Sequence, residues 1–210
     1  MKKGHWMVEI CELIWRVVLV NLCWIAFTVL GLGILGFFPS SVALFTIVRK
    51  WLRKDTDTPV WKTFKHVYFK EWKRSNGIGL VFYSIGLFLF IDIRITEGLM
   101  TGVFSSILLV ILYFLAFLLL LSLGYFFAIY VHYEFSNKEY IIQSFLFTVT
   151  SLPSTIWIGA GLFVIGSLMN ELPGLIPFIS AVAPAYWMMK VSLNRFNLLE
   201  KRATFNNAAM

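Results

Sequence analysis

Residues 102–131 read GVFSSILLVILYFLAFLLLLSLGYFFAIYV, an uninterrupted run without one charged side chain. A helix needs about 20 mainly apolar residues to cross the hydrocarbon core of a bilayer, and this run exceeds that length. Outward from it, residues 11–37, 78–95 and 141–169 meet the same criterion. Residues 172–189 are shorter and carry Pro173, Pro177 and Pro184. They are expected to form a kinked span, because neighbouring helices can satisfy the carbonyls that proline frees. Residues 39–51 have an apolar core only over 42–48. They are expected to be either re-entrant or a short span closing a hairpin with the first helix, with Gly31, Gly33 and Gly36 letting the pair approach closely.

Composition agrees. Hydrophobic residues make up 59% of the chain, charged residues 14%, and the mean hydropathy is +0.79. Soluble domains are about 45–50% apolar and about 25% charged, so this chain lacks the charges a soluble surface needs. Cys11 and Cys23, about 18 Å apart along one helix at 1.5 Å per residue, are too distant to bridge. Lys2 and Lys3 give a basic start, but the apolar run over 10–38 is too long for a signal-peptide core. No lipid-anchor motif is expected at the termini either.

The net charge is +7, and its placement sets the expected topology. Residues 49–74 hold nine of the eighteen basic residues and three acidic ones, which marks a cytoplasmic loop. The 96–101 connection has Glu97 and no cation, so it is expected outside. The 133–140 connection mixes Lys138 with Glu134 and Glu139 and decides nothing. The tail, with Lys190, Arg195, Lys201 and Arg202, is expected inside. Lys2, Lys3 and Arg16, which can snorkel to headgroups, favour an inside start. Both termini are therefore expected in the cytoplasm, with five spans and an outside N-terminus as the alternative. The fold class is all-α, a single polytopic transmembrane bundle over 1–210 of about six helices, the second short.

Within the basic loop, Thr58 and Pro59 signal a helix start. At about 100° per residue, Trp61, Phe64, Tyr68, Phe69 and Trp72 share one arc with Val60 and Val67. Lys62, Lys70, Lys73, Arg74, Thr63 and His66 take the opposite one, and Lys65 and Glu71 interrupt the apolar arc. Residues 59–74 are thus expected to form an amphipathic interfacial helix. Its residues Lys62, Lys70, Lys73, Arg74, Trp61, Phe64 and Trp72 make a candidate face for anionic lipid headgroups or a protein partner. Cations beside an anionic leaflet account for the basic balance, so nucleic acid is not expected as a partner.

Chemistry-bearing motifs are absent from the sequence. His5, His66 and His132 stand far apart, no phosphate-binding loop of the GxxxxGK[ST] type occurs, and no GxSxG elbow occurs. No catalytic residue, cofactor or metal is therefore expected. Glu9 and Glu12, one turn apart, are expected in solvent or at headgroups. Asn21 is the candidate intramembrane polar contact, expected to hydrogen-bond between helices or to touch a substrate. Asp92 and Arg94 are expected near the outer interface, Pro153 should kink the fifth helix, and Asn170 should face solvent. Trp6, Trp51 and Trp187 fit interfacial belts.

The stretch from Asn21 to Asn76 resembles the YesL-like family of uncharacterised Gram-positive bacterial integral membrane proteins. The resemblance rests on Asn21-Leu22-Cys23-Trp24, the glycine-rich 31–36, Pro39-Ser40-Ser41-Val42-Ala43-Leu44-Phe45, Val48-Arg49-Lys50-Trp51, Pro59-Val60-Trp61-Lys62-Thr63-Phe64 and Lys73-Arg74-Ser75-Asn76. It covers about a quarter of the chain with specific residues. It implies no catalytic residues. It does imply an accessory role beside ABC-type carbohydrate importers, because family members are encoded next to such importers and next to polysaccharide-degrading enzymes. Three functions follow as expectations. The first is an accessory or scaffold protein for carbohydrate uptake. The second is a solute transporter or permease subunit, disfavoured by the scarcity of ionisable residues in the spans. The third, a membrane enzyme, is the least supported.

Overall fold

The computed structural model describes residues 5–208, with side chains described over 10–201. Lys2 and Lys3, and the side chains of His5, Trp6, Glu9 and Arg202, lie outside those residues. The order is α1 His5–Leu30, α2 Ile34–Leu52, α3 Val60–Leu99, α4 Val103–His132, α5 Asn137–Thr150, α6 Leu152–Glu171, a 3-10 turn Pro173–Leu175, α7 Ile176–Ile179 and α8 Val182–Ala208. Among the described residues five helices are long and apolar enough to cross a membrane. A sixth crossing is counted if the bent pair Pro173–Ile179 and Val182–Lys201, at 61° to each other, is one span. The chain is an all-α, multi-pass membrane bundle.

Its surface is patterned inside out. On α5, Ile142, Leu146 and Val149 face outward, while Tyr140, Ser144 and Thr148 are buried. The buried hydroxyls bond within their own helix, Ser144 to the Tyr140 carbonyl at 2.6 Å and Thr148 to the Ser144 carbonyl at 2.8 Å. Internal pairing of every polar group is what a hydrocarbon solvent demands.

The first helix does not reach residue 37 as expected. Leu32 and Gly33 adopt φ of 57° and 76°, a left-handed turn that ends α1 at Leu30. The hairpin is tight. A Cβ built on Gly31 would collide with the Gly36 Cα, and one on Gly36 would collide with the Thr28 carbonyl oxygen. Gly33 has open space around it and serves the turn instead. The boundary expected at residues 38–39 therefore lies inside α2, which spans 19 residues, about 28 Å at 1.5 Å each.

Pro39 inside α2 has no N–H for the carbonyl of Leu35 four residues back. The Asn76 side-chain amide on α3 donates to that carbonyl at 2.9 Å. Tyr83 of α3 donates to the neighbouring Ile34 carbonyl at 2.7 Å. Gly79 packs so closely on the Phe38 ring that a Cβ there would meet it at 2.5 Å. The motif residues of α2 and α3 are thus one fitted pair.

The largest correction concerns α3. Residues 59–74 do not form a separate interfacial helix. They are the first part of one 40-residue helix, about 60 Å long. Continuity is kept because Ser75 is buried and Asn76 is held by the carbonyls of Leu35 and Trp72, so the polar junction that reads as a break packs as helix. Beyond the main core, α3 and α4 run on as a hairpin with its own small core of Leu89, Ile93 and Leu112.

The other expected kinks take specific form. The 141–169 span divides at Ser151, with Pro153 in the first turn of α6. The 172–189 span breaks after Ile179, and α8 continues to Ala208.

Candidate functional site

The seven residues of the expected lipid or partner face separate into three groups. Phe64 is fully buried, its ring centroid 5.3 Å from that of Phe27 on α1. It belongs to the core and is unavailable to lipid or partner. Trp72 is half-buried and meets the Tyr68 ring edge-on, with centroids 5.1 Å apart. The correction has a simple origin: Val60, Phe64, Tyr68 and Ser75 define the buried arc, which is rotated away from the centre of the aromatic arc. Trp61 and Phe69 are left outside it, 53% and 61% exposed.

Arg74 is a structural staple. Its guanidinium donates to the Phe135 carbonyl at 2.6 Å and to Asn137 Oδ1 at 3.1 Å. It also lies 5.2 Å from the Tyr140 ring centroid and 5.6 Å from that of Tyr130. Tyr130 in turn donates to Glu71 Oε2 at 2.6 Å. Such planar, stacked recognition suits arginine and not lysine. These contacts tie α3 to the connection between α4 and α5.

What remains is an exposed strip that includes Trp61, Lys62, Lys65, His66, Phe69 and Lys70, which line one shallow depression. Lys73 is exposed nearby. Lys65, His66 and Phe69 were missed as site residues. The signal that finds them is the three- and four-residue spacing from Trp61 and Lys62, which places them on one helix face.

Asn21 is fully buried and fully employed. Its amide nitrogen donates to the Pro177 carbonyl at 2.8 Å, with the Ile176 carbonyl and Ser180 Oγ at 3.5 Å. Its Oδ1 accepts from the backbone N–H groups of Ala181 and Val182 at 2.8 and 3.2 Å. The side chain thus splints the break between α7 and α8, replacing backbone pairing that a bent helix loses. This is the interhelical role, and no group of Asn21 is left over for a substrate.

One group of charged contacts lies at one end of the bundle. Arg16 donates to the Thr56 carbonyl, Arg53 Nη2 lies 3.5 Å from His132 Nδ1, and His132 Nε2 lies 3.3 Å from Glu200 Oε1. Tyr133 also donates to Glu200, at 3.3 Å. Burial and that carboxylate push the Tyr133 phenol up to about 12. The start of α1, the 53–59 loop, the α4–α5 connection and the later part of α8 therefore share an end. At the other end Arg94 lies 3.5 Å from Glu97, which accepts from Tyr113 at 2.7 Å. Trp51 and Trp187 line a cleft of about 950 Å³ between α1, the 53–59 loop and α6 to α8. Among the described residues no group of three His, Cys, Asp or Glu side chains could hold a metal ion.

Residues 17–93, which contain most of α1, all of α2 and α3 to Ile93, match a family model described as a protein of unknown function, DUF624. Three proteins of Bacillus subtilis strain 168, each described as uncharacterised, are similar along most of their length. YteU is 35% identical over 189 residues, covering 88% of this chain and 82% of its own. YesV is 34% identical over 196 residues, covering 90% and 91%. YesL is 28% identical over 199 residues, covering 95% and 93%. No solved structure matches the chain.

Proposed function

The chain belongs to the DUF624 family, with YesL, YteU and YesV among its relatives, and on that premise we propose that it is an accessory or scaffold component of carbohydrate uptake through an ABC-type importer in the bacterial cell membrane. One observation carries the reading: the exposed strip around Trp61, Lys65 and Phe69 lies on a helix whose opposite face is consumed by the core. Exposed aromatics interleaved with cations suit an acidic, partly apolar protein surface, since aromatics anchor interfaces and charges steer encounter. The strip also suits anionic headgroups. Carbohydrate enters from the family resemblance.

The positive-inside pattern of 49–74 supports a cytoplasmic strip. The shared end of Arg16, Thr56, Arg53 and Glu200 then supports both termini in the cytoplasm. The bent α7–α8 pair favours a second reading, an autonomous transporter or permease subunit, because broken helices frame substrate sites in transporters. Against it, Asn21 itself occupies the broken backbone.

Affinity capture from native membranes in mild detergent tests the proposal. The expected result is recovery of an importer permease or ATPase, lost when Lys62, Lys65 and Lys70 are changed to Gln. Recovery of the protein alone, together with sugar uptake in proteoliposomes, would replace the accessory reading by the transporter.

A further inference from the structure

The cleft beside α1 has two unlike ends. Leu13, Val17, Ile165, Ile179, Val182 and Ala183 give it an aliphatic wall, and Trp51, Tyr186 and Trp187 add aromatic rings to the lining. Glu12, Arg16, Thr56 and Asp57 give it a polar rim. Its volume, about 950 Å³, is that of a small-molecule site. The six aliphatic side chains offer no partner to the hydroxyls of a sugar, each of which needs one when desolvated, and the rings of Trp51, Tyr186 and Trp187 suit the headgroup level, where amphipathic aromatics gather. An amphiphile, in contrast, matches both ends at once.

The rim charges narrow the class. Among the described residues Arg16 is the one cation of the rim, and Glu12 and Asp57 are its carboxylates. Arg16 Nη2 lies 3.6 Å from Glu12 Oε2, and Nη1 donates to Thr56. A guanidinium carries five N–H donors, so donors remain for a phosphate. A headgroup with a phosphate and a primary ammonium complements this rim, the phosphate on Arg16 and the ammonium N–H groups on Glu12 and Asp57. A quaternary ammonium has no N–H to give. A headgroup with only negative charge meets two carboxylates.

We propose that the cleft between α1 and α8 is a binding site for a zwitterionic phospholipid with a primary amine, phosphatidylethanolamine. The lipid lays an acyl chain along Val17, Ile179 and Val182 and seats its headgroup on Arg16, Glu12 and Asp57. This is separate from the strip on α3, which faces charge of the opposite kind.

The test is native mass spectrometry of the purified full chain titrated with phosphatidylethanolamine, phosphatidylcholine and phosphatidylglycerol of identical acyl chains. Phosphatidylethanolamine is expected to bind roughly tenfold tighter than phosphatidylcholine, the ratio one charge-assisted hydrogen bond confers. The E12Q/D57N variant changes two exposed side chains and should lose that preference while still binding lipid. The A183F variant should fill the aliphatic end and weaken all three lipids. Equal binding of the three lipids, an unchanged preference in E12Q/D57N, or displacement of bound lipid by a disaccharide would overturn the proposal.

Discussion

Asn76 on α3 supplies, at 2.9 Å, the hydrogen bond to Leu35 that Pro39 on α2 is unable to make. The proline and the asparagine are 37 positions apart in sequence, yet each accounts for the other. A proline within a buried helix strands a carbonyl, and an asparagine within a long helix needs a partner. Both lie in the stretch matched by the family model.

This pairing is measurable as a coupling. Asn76→Ala should destabilise the protein by about 1 kcal/mol, the net worth of one hydrogen bond to a carbonyl at the apolar surface of the bundle. In a Pro39→Ala background the restored N–H serves Leu35, so the same change should be milder by about 1 kcal/mol. A double-mutant cycle on thermal unfolding in detergent checks this. Additive effects would show that Asn76 acts elsewhere.

Asn21→Leu should cost about 2–4 kcal/mol, because it exposes the backbone groups of Pro177, Ala181 and Val182 to an apolar interior. Hydrogen exchange should accelerate first at the amides of Ala181 and Val182. Protection unchanged at those two amides would show that the α7–α8 break holds itself.

Gly36→Ala should lower stability by about 1–3 kcal/mol or more, through overpacking against the Thr28 carbonyl. Gly166→Ala, with no atom within 4 Å of the added Cβ, should be neutral or stabilising by up to about 1 kcal/mol. Equal melting temperatures for the two variants would remove the close hairpin.

The strip and the staple should part company on substitution. Lys62, Lys65 and Lys70 changed together to Gln should leave stability within about 0.5 kcal/mol and abolish partner recovery. Arg74→Lys should instead lower the melting temperature, since lysine cannot bridge Phe135 and Asn137 while lying over Tyr140. A destabilised triple variant with a stable Arg74→Lys would invert the assignment.

At the start of α5, the Ser136 backbone N–H and hydroxyl hold the Glu139 carboxyl below its usual range. A depressed folded-state pKa means stabilisation that is present above the unfolded value and lost as pH falls through the folded one. The melting-temperature gap between the wild type and Glu139→Ala should therefore be open at pH 7 and close as pH drops through the acid range. A gap that widens on acidification would contradict the capping box.

Much of this architecture was legible because the bilayer sets lengths. Residues 102–131 announce α4, which spans Val103–His132, and Pro153 announces the α5–α6 break. The errors fall where a side chain replaces a backbone bond. Pro39 reads as a boundary, and no local pattern shows that Asn76 will rescue it. Residues 75–77 read as a junction, and Ser75 and Asn76 carry the helix through it. Arg74 reads as one more surface cation, because its partners at Phe135, Asn137 and Tyr140 lie more than sixty positions away. The strip itself was half-visible: Trp61, Lys62 and Lys70 are exposed as expected, whereas the buried arc that removes Phe64 depends on where Phe27 sits.

The unbroken length of α3 gives the molecule a mechanical property. It is a single rod carrying Trp61 near one end and the Arg94–Glu97 pair near the other. A rod about 60 Å long that tilts by about 10° around its middle moves each end by about 5 Å, in opposite directions. For a helix that tilts as one piece, a load on the aromatic and basic end displaces the Arg94–Glu97 end by the same amount in the opposite sense.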